Sequence, residues 1–192
     1  MTGDDNLITG VTDFYRKLVA LPMPLGQMIF FKSTQIGNFH GLYRVSGVST
    51  NSPGAFDAGL FTLRTPSTAV DDVLHNKRAY DVIGSTGITR GEIYCWTGIT
   101  SGTVCGPVTC DTVSYCSSTG VCFRDMATID PPSSGGDSGA PVYRVEPIGR
   151  RVRVIGIQDS IVGGLGCTVG NDSELSKWTV IRDYFGLTLV TK

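Results

Sequence analysis

Apolar and polar positions change over in short runs along most of this chain. Segments 28–32, 41–48, 59–63, 79–83, 92–96, 103–109, 112–115, 121–129, 141–145 and 151–157 read as short strands, punctuated by Gly, Ser, Asn or Pro. That rhythm predicts an all-β protein, a sandwich or a pair of barrels. Two segments break it. Over 11–21, Val11, Phe14, Tyr15, Leu18, Val19 and Leu21 follow a helical period that Pro22 ends. Over 173–185, Leu175, Trp178, Ile181 and Phe185 share one helical face, with Ser173 placed as its cap and Gly186 as its stop. A terminal strand is expected over 187–190, and Ser117-Ser118-Thr119-Gly120 reads as a hairpin turn. There is no internal repeat and no low-complexity segment.

Composition agrees with this picture. A chain of 192 residues fits one domain or two small halves that share an interface, and 41% apolar content supports a core. Twenty-five glycines with 17% charged residues suit tight turns better than long surface helices. Net charge is −1 and Lys and Arg do not cluster, so the basic footprint of a nucleic-acid-binding protein is missing. All 6 cysteines fall between Cys95 and Cys167, without paired metal-ligand spacing, and there are only 2 histidines. Disulfides in an oxidising compartment explain them better than zinc, and no metal or cofactor is expected.

The first residues, Met-Thr-Gly-Asp-Asp-Asn, are polar and acidic, unlike an export signal. A later basic-then-apolar stretch, from Arg16 to Phe31, is interrupted by Pro22, Pro24 and Gly26 and is too short to span a membrane. The chain reads as a secreted-type, extracellular domain without its export signal, monomeric and without a membrane partner. Asn171-Asp172-Ser173 is a glycosylation acceptor triplet.

The most specific chemistry lies in Gly136-Asp137-Ser138-Gly139. A serine hydroxyl is a weak nucleophile and needs a base and an oxyanion site. Glycine beside the serine lets the backbone bend until two N–H groups converge, here those of Gly136 and Ser138. Pro141 and an apolar strand follow at once.

This segment resembles the nucleophile loop of the chymotrypsin-type serine proteases, with Ala140 in place of a glycine. The flanking sequence is similar to the secreted bacterial group of alpha-lytic protease and the streptogrisins. Val82-Ile83-Gly84-Ser85-Thr86 and Gly91-Glu92-Ile93-Tyr94-Cys95 resemble that group's approach to a disulfide cysteine. The segment Cys95-Trp96-Thr97-Gly98-Ile99-Thr100-Ser101-Gly102-Thr103-Val104-Cys105-Gly106 resembles its Cys-x-x-Gly-x-Thr-x-Gly-x-x-Cys-Gly pattern. Tyr184-Phe185-Gly186-Leu187-Thr188-Leu189-Val190-Thr191 resembles its closing helix and strand. The match runs from about residue 55 to the end.

The resemblance implies a trypsin-like double antiparallel β-barrel with a C-terminal helix. The first barrel, 1–78, is expected to be truncated or altered, and the second, 79–192, to carry the nucleophile loop. Ser138 would be the nucleophile of a serine endopeptidase acting on peptides or proteins, and Cys95 would pair with Cys105. Asp57, in Phe56-Asp57-Ala58-Gly59-Leu60-Phe61, matches the triad aspartate that orients and supports a histidine. The family's Thr-Ala-x-His-Cys segment has no counterpart: the window 22–32 holds neither histidine nor cysteine. That leaves His40, in a strand-like run, as the candidate base; His75 is read in a charged surface loop. Asp159, Ser160 and Ile161 stand where the family's pocket strand reads Ser-Gly-Gly, so a bulky residue replaces a glycine at the pocket entrance. The cysteine that the resemblance implies just before the nucleophile is absent, so Cys167 needs another partner; Cys122 is one candidate, which would leave Cys110 and Cys116 to pair locally, and the pairing of these four stays open. Two functional readings follow. One is an endopeptidase; the other is an inactive homologue, or a fragment, that binds peptides or proteins.

Overall fold

The structure, a computed structural model, describes residues 6–9, 28–31, 34–45, 56–63, 71–116, 122–163, 167 and 171–192. The helix expected over 11–21 and the turn at 117–120 lie outside the described residues.

Four strands form the first sheet: β1 (Asn6–Thr9), β2 (Met28–Phe31), β3 (Thr34–Val45) and β4 (Phe56–Leu63), in the order β1-β4-β3-β2 and antiparallel throughout. The remaining strands are β5 (Asp72–His75), β6 (Arg78–Ser85), β7 (Ile93–Gly98), β8 (Gly102–Cys116), β9 (Cys122–Ile129), β10 (Pro141–Val145), β11 (Arg151–Gly163) and β12 (Asn171–Lys177). They form a second sheet in the order β10-β7-β8-β9-β12-β11-β6-β5. β10 also pairs with β11, which closes β7 to β12 into a six-stranded antiparallel barrel. Beside it β6 runs parallel to β11, and β5 folds back on β6 through Asn76 and Lys77. Both turn residues have positive φ, 49° and 64°, the twist that suits a two-residue hairpin. Residue 78, the expected boundary between the halves, falls in this hairpin.

Strand alternation sorts the side chains. Tyr94 and Trp96 on β7, Val108 on β8, Ala127 and Ile129 on β9, Val142 on β10, Ile155 on β11 and Leu175 on β12 fill the barrel. Their neighbours Cys95, Tyr143, Val152 and Val154 point outward and pack with Val73, Val82 and Trp178. One barrel core and one lateral core thus share the same strands.

Helix α1 (Trp178–Phe185) closes the chain, with Gly186 in the left-handed conformation at its end (φ 66°) donating its N–H to the Arg182 carbonyl. The helix expected from Ser173 therefore starts five residues later. Residues 171–177 are taken instead as β12, between β9 and β11. An intrinsic helical period over 173–177 yields to the two ladders that bury Ser173, Glu174, Leu175 and Ser176. The strand expected over 187–190 is also absent: this segment packs Leu187 and Leu189 on the lateral core, and the Lys192 N–H reaches the Val82 carbonyl at 3.1 Å. The separate strands expected over 103–109 and 112–115 are one strand, β8, whose register shifts around Cys110 and Val113 obscure its alternation.

Candidate active site

The segment between β9 and β10 carries Ser138, and Asp137 shapes it. Asp137 is buried. Its Oδ1 accepts the N–H groups of Thr100 (3.0 Å) and Ser101 (3.1 Å), and its Oδ2 accepts that of Ser134 (3.0 Å). Burial alone would raise this carboxyl, but the Ser101 hydroxyl and the N–H groups of Ser134, Ser101 and Thr100 outweigh it and hold the pKa below the ordinary value. The carboxylate ties the β7–β8 turn to the Ser138 loop. A further bond, from Thr100 Oγ1 to the Gly135 carbonyl at 2.8 Å, reinforces the tie.

Glycines make room for this. A Cβ on Gly98 would stand 2.1 Å from Asp137 Oδ1, so no larger residue fits with the carboxylate in place. Gly136 has φ +105°, and a Cβ there would stand 2.7 Å from Thr100 Oγ1. On the far side of the serine, the Gly139 N–H donates to the Gln158 carbonyl at 2.7 Å, and the Gln158 N–H to that of Ala140 at 2.9 Å. Ser138 is thereby held at both ends. Its N–H has no acceptor among the described residues, as an oxyanion donor requires. Its Oγ donates to the main-chain carbonyl of Asp159 at 2.5 Å.

Asp159 belongs to β11 and is buried. The β10–β11 ladder stops at the Pro141–Ile157 pair. Beyond it β11 continues against β12, with Ile161 opposite Ser173 after a register shift between Gln158 and Ile161. The strand, expected to stop at 157, thus runs past Ser138 to Gly163; the side chains of Ser160 and Ile161 lie outside the described residues. Nearby, Gln158 Nε2 donates to Ser133 Oγ at 2.6 Å and Ser173 Oγ to the Pro131 carbonyl at 2.9 Å, all three side chains being buried.

Asp57 and His40 are described by backbone register. Asp57 on β4 faces Arg44 on β3. His40 falls at the register shift between Phe39 and Gly41, opposite Phe61 and Leu60. Four residues of strand, ~13 Å, separate His40 from the partner of Asp57, an offset wider than a direct Asp–His hydrogen bond across this ladder spans. Their side chains lie outside the described residues.

His75 is half-buried at the end of β5, where a surface loop was expected, because its hairpin pairs with β6. Its Nδ1 is 3.3 Å from the Tyr143 hydroxyl, which also meets Thr97 Oγ1 at 2.8 Å and donates to the Leu74 carbonyl at 2.9 Å. Tyr80 meets the ring edge-on at 4.9 Å. Burial lowers the pKa of His75 below 6.5. The imidazole and the sulfurs of Cys95 and Cys105 lie within 4.8 Å of one another, but both sulfurs are in a disulfide and offer no thiolate ligand.

Cys95–Cys105 links β7 and β8 at positions that face each other in the ladder. Cys110 pairs with Cys167, in place of the candidate Cys110–Cys116 and Cys122–Cys167 pairs. The β8–β9 register explains the difference: Cys116 stands opposite Cys122, whereas Cys110 turns into a small core with Val113, Phe123, Met126 and Cys167. Among site features, sequence reasoning missed the Asp137 clamp and the role of Gly98. The signal was present in the Cys-Trp-Thr-Gly-Ile-Thr-Ser-Gly turn, whose glycine is explained only by what it faces.

No family model and no curated protein matches the sequence. Solved structures match its fold. Thermobifida fusca protease A superposes with a TM-score of 0.68 at 21% identity, over 97% of this chain and 85% of that one. Nocardiopsis protease gives 0.70 at 17%, over 98% and 87%. Cellulomonas bogoriensis chymotrypsin gives 0.66 at 19%, over 96% and 85%.

Proposed function

We propose, from the premise that this chain has the trypsin-like double-barrel fold of bacterial chymotrypsin-like serine proteases, that it is a serine endopeptidase working through an acyl-enzyme at Ser138. The observation that carries this reading is the Asp137 clamp. Three backbone N–H groups hold the carboxylate, and the loop so fixed carries Gly136 and Ser138, whose N–H groups would receive the carbonyl oxygen of the scissile bond. Beyond its last pair with β10, β11 would offer backbone groups to an extended peptide on the acyl side. A base takes the Ser138 proton as Oγ attacks the carbonyl carbon, then delivers it to the leaving amine. Water repeats the cycle to release the acyl group. In this reading Asp57 and His40 serve Ser138 without bonding each other directly across the β3–β4 ladder, and Asp159, Ser160 and Ile161 border the pocket. The disulfides suit an extracellular, oxidising compartment, and the protein acts as a monomer on peptides or proteins.

A second reading, a peptide-binding homologue without turnover, is favoured by two observations: Ser138 Oγ is bonded to a main-chain carbonyl, and His75 is engaged with Tyr143. A fluorophosphonate probe separates the two. Labelling that disappears in Ser138→Ala supports the enzyme; an unlabelled wild type leaves the binding reading. If labelling occurs, His40→Ala identifies the base, because an unchanged rate excludes His40.

A further inference from the structure

His75 has no part in the Ser138 chemistry proposed above, yet it stands among groups of matching reactivity. Its imidazole and the sulfurs of Cys95 and Cys105 lie within 4.8 Å of one another. The three come from two hairpins. β5–β6 supplies the histidine, and β7 and β8 supply the cysteines from directly opposed ladder positions. One imidazole and two sulfurs are a donor set of zinc-class ions. The closed bridge withholds the thiolates; an open one would present them.

The surroundings suit a metal in three ways. Each ring nitrogen has its own partner: Nδ1 meets the Tyr143 hydroxyl at 3.3 Å, and Nε2 meets the Asn76 amide nitrogen at 3.2 Å. Whichever nitrogen binds an ion, the other keeps a contact that orients the ring, as the outer partners of metal-bound histidines do. Tyr143 is itself anchored to Thr97 and to the Leu74 carbonyl. Second, the two sulfurs differ in access. Cys95 is buried among Val73, Val82, Tyr143 and Val152, whereas Cys105 is exposed, so a reagent reaches the bridge from the Cys105 side. Third, the spacing is near what an ion needs: ligand atoms around tetrahedral zinc stand roughly 3.5–3.8 Å apart, so a shift of about 1 Å brings the imidazole into range once the sulfurs separate.

We infer that Cys95, Cys105 and His75 form a redox-gated site for a thiophilic divalent cation of the zinc class, shut as a disulfide and open as two thiols. A dithiol opens it. Its first thiolate bonds to Cys105 Sγ as the S–S bond breaks, and Cys95 leaves as a thiolate. Its second thiolate then displaces Cys105, and the reductant departs as a cyclic disulfide. The dithiol is oxidised by two electrons, the bridge is reduced by two, and the two cysteines take up the two protons that the dithiol gave up. The cation replaces those protons, which pass to solvent. Whether Ser138 cuts peptides does not bear on this site.

The test uses the full chain, reduced with dithiothreitol, freed of it by gel filtration without oxygen, and titrated with Co2+. Reduced wild type should show a sulfur-to-cobalt absorption band, and the oxidised protein none. His75→Gln should weaken Co2+ binding by at least about tenfold, since the loss of even an outer partner of a metal ligand costs that much. Cys105→Ser should weaken it at least as far. His75→Cys, which exchanges one metal ligand for another, should restore tight binding, a rescue that a purely structural role for His75 would not allow. The other cysteines are common to all these proteins, so wild-type affinity in His75→Gln or Cys105→Ser places the metal elsewhere and overturns the site. It is also overturned by a reduced wild type without the band, or by a His75→Cys protein that binds as weakly as His75→Gln.

Discussion

Asp137 and the β12 acids Asp172 and Glu174 are all buried in one barrel, yet they are held by different kinds of partner. Asp137 takes three backbone N–H groups from two separate loops. Asp172 Oδ2 accepts the Thr109 hydroxyl at 2.5 Å, and Thr109 meets Thr128 at 2.7 Å, so a polar rung crosses β8, β9 and β12. Glu174 Oε2 accepts the Tyr115 hydroxyl at 2.7 Å. Backbone donors cannot rotate away, so the Asp137 carboxylate dictates where two loops lie. Hydroxyl donors rotate and belong to strands already placed by their ladders, so the β12 acids reinforce a register that exists without them. The first arrangement shapes the loop that carries Ser138; the second secures a strand.

Substitutions can break this contrast. The largest effect is expected for Asp137→Ala, which takes the carboxylate from three backbone N–H groups: a loss of roughly 2–4 kcal/mol in denaturant melts, together with loss of fluorophosphonate labelling at Ser138. Gly98→Ala should act on the same loop from the opposite side, because its Cβ displaces the carboxylate. Its labelling rate should fall by on the order of 10²–10³-fold, with a smaller loss of stability. A Gly98→Ala protein that labels like wild type would show that the clamp does not set the oxyanion geometry. On β12, Thr109→Val removes one donor to Asp172 and should cost about 1–2 kcal/mol in the same melts while Ser138 still labels. If it abolished labelling, the separation between loop clamp and strand brace would fail.

The smallest effect is in the pH dependence of Tm, where two groups act in different windows. Burial holds His75 below its ordinary 6.5, so the folded state favours the neutral ring. The stability this supplies is full above 6.5 and declines as pH falls below it toward the folded-state value. Asp137 is held below its ordinary 3.8, so its contribution is full above that value and is lost as pH falls through the lower folded-state pKa. His75→Gln should remove a shallow slope below pH 6.5, and Asp137→Asn the steeper one in strong acid. A His75→Gln profile that follows wild type between pH 4 and 6.5 would count against the histidine assignment.

Local pattern and resemblance carried the fold class because the barrel strands are short, punctuated and alternate visibly, as in Tyr94-Cys95-Trp96 with its inward, outward and inward side chains. The stop at Gly186 was equally legible, since a left-handed C-terminal residue is a local requirement. Other features were not local. Residues 173–177 have a helical period, but two neighbouring strands claim them for β12. Cys110 meets Cys167 across a sequence separation of 57, which no spacing rule reveals.

The sequence alone therefore determined the architecture and singled out the Ser138 loop, because strand alternation, turn glycines and a Gly-Asp-Ser-Gly run are written in neighbouring residues. Only the tertiary structure decided why Gly98 must be glycine, which loops Asp137 binds and where the β10–β11 ladder ends beside Ser138. Each of those depends on residues distant in the chain being brought within a few ångströms, and sequence order does not carry that distance.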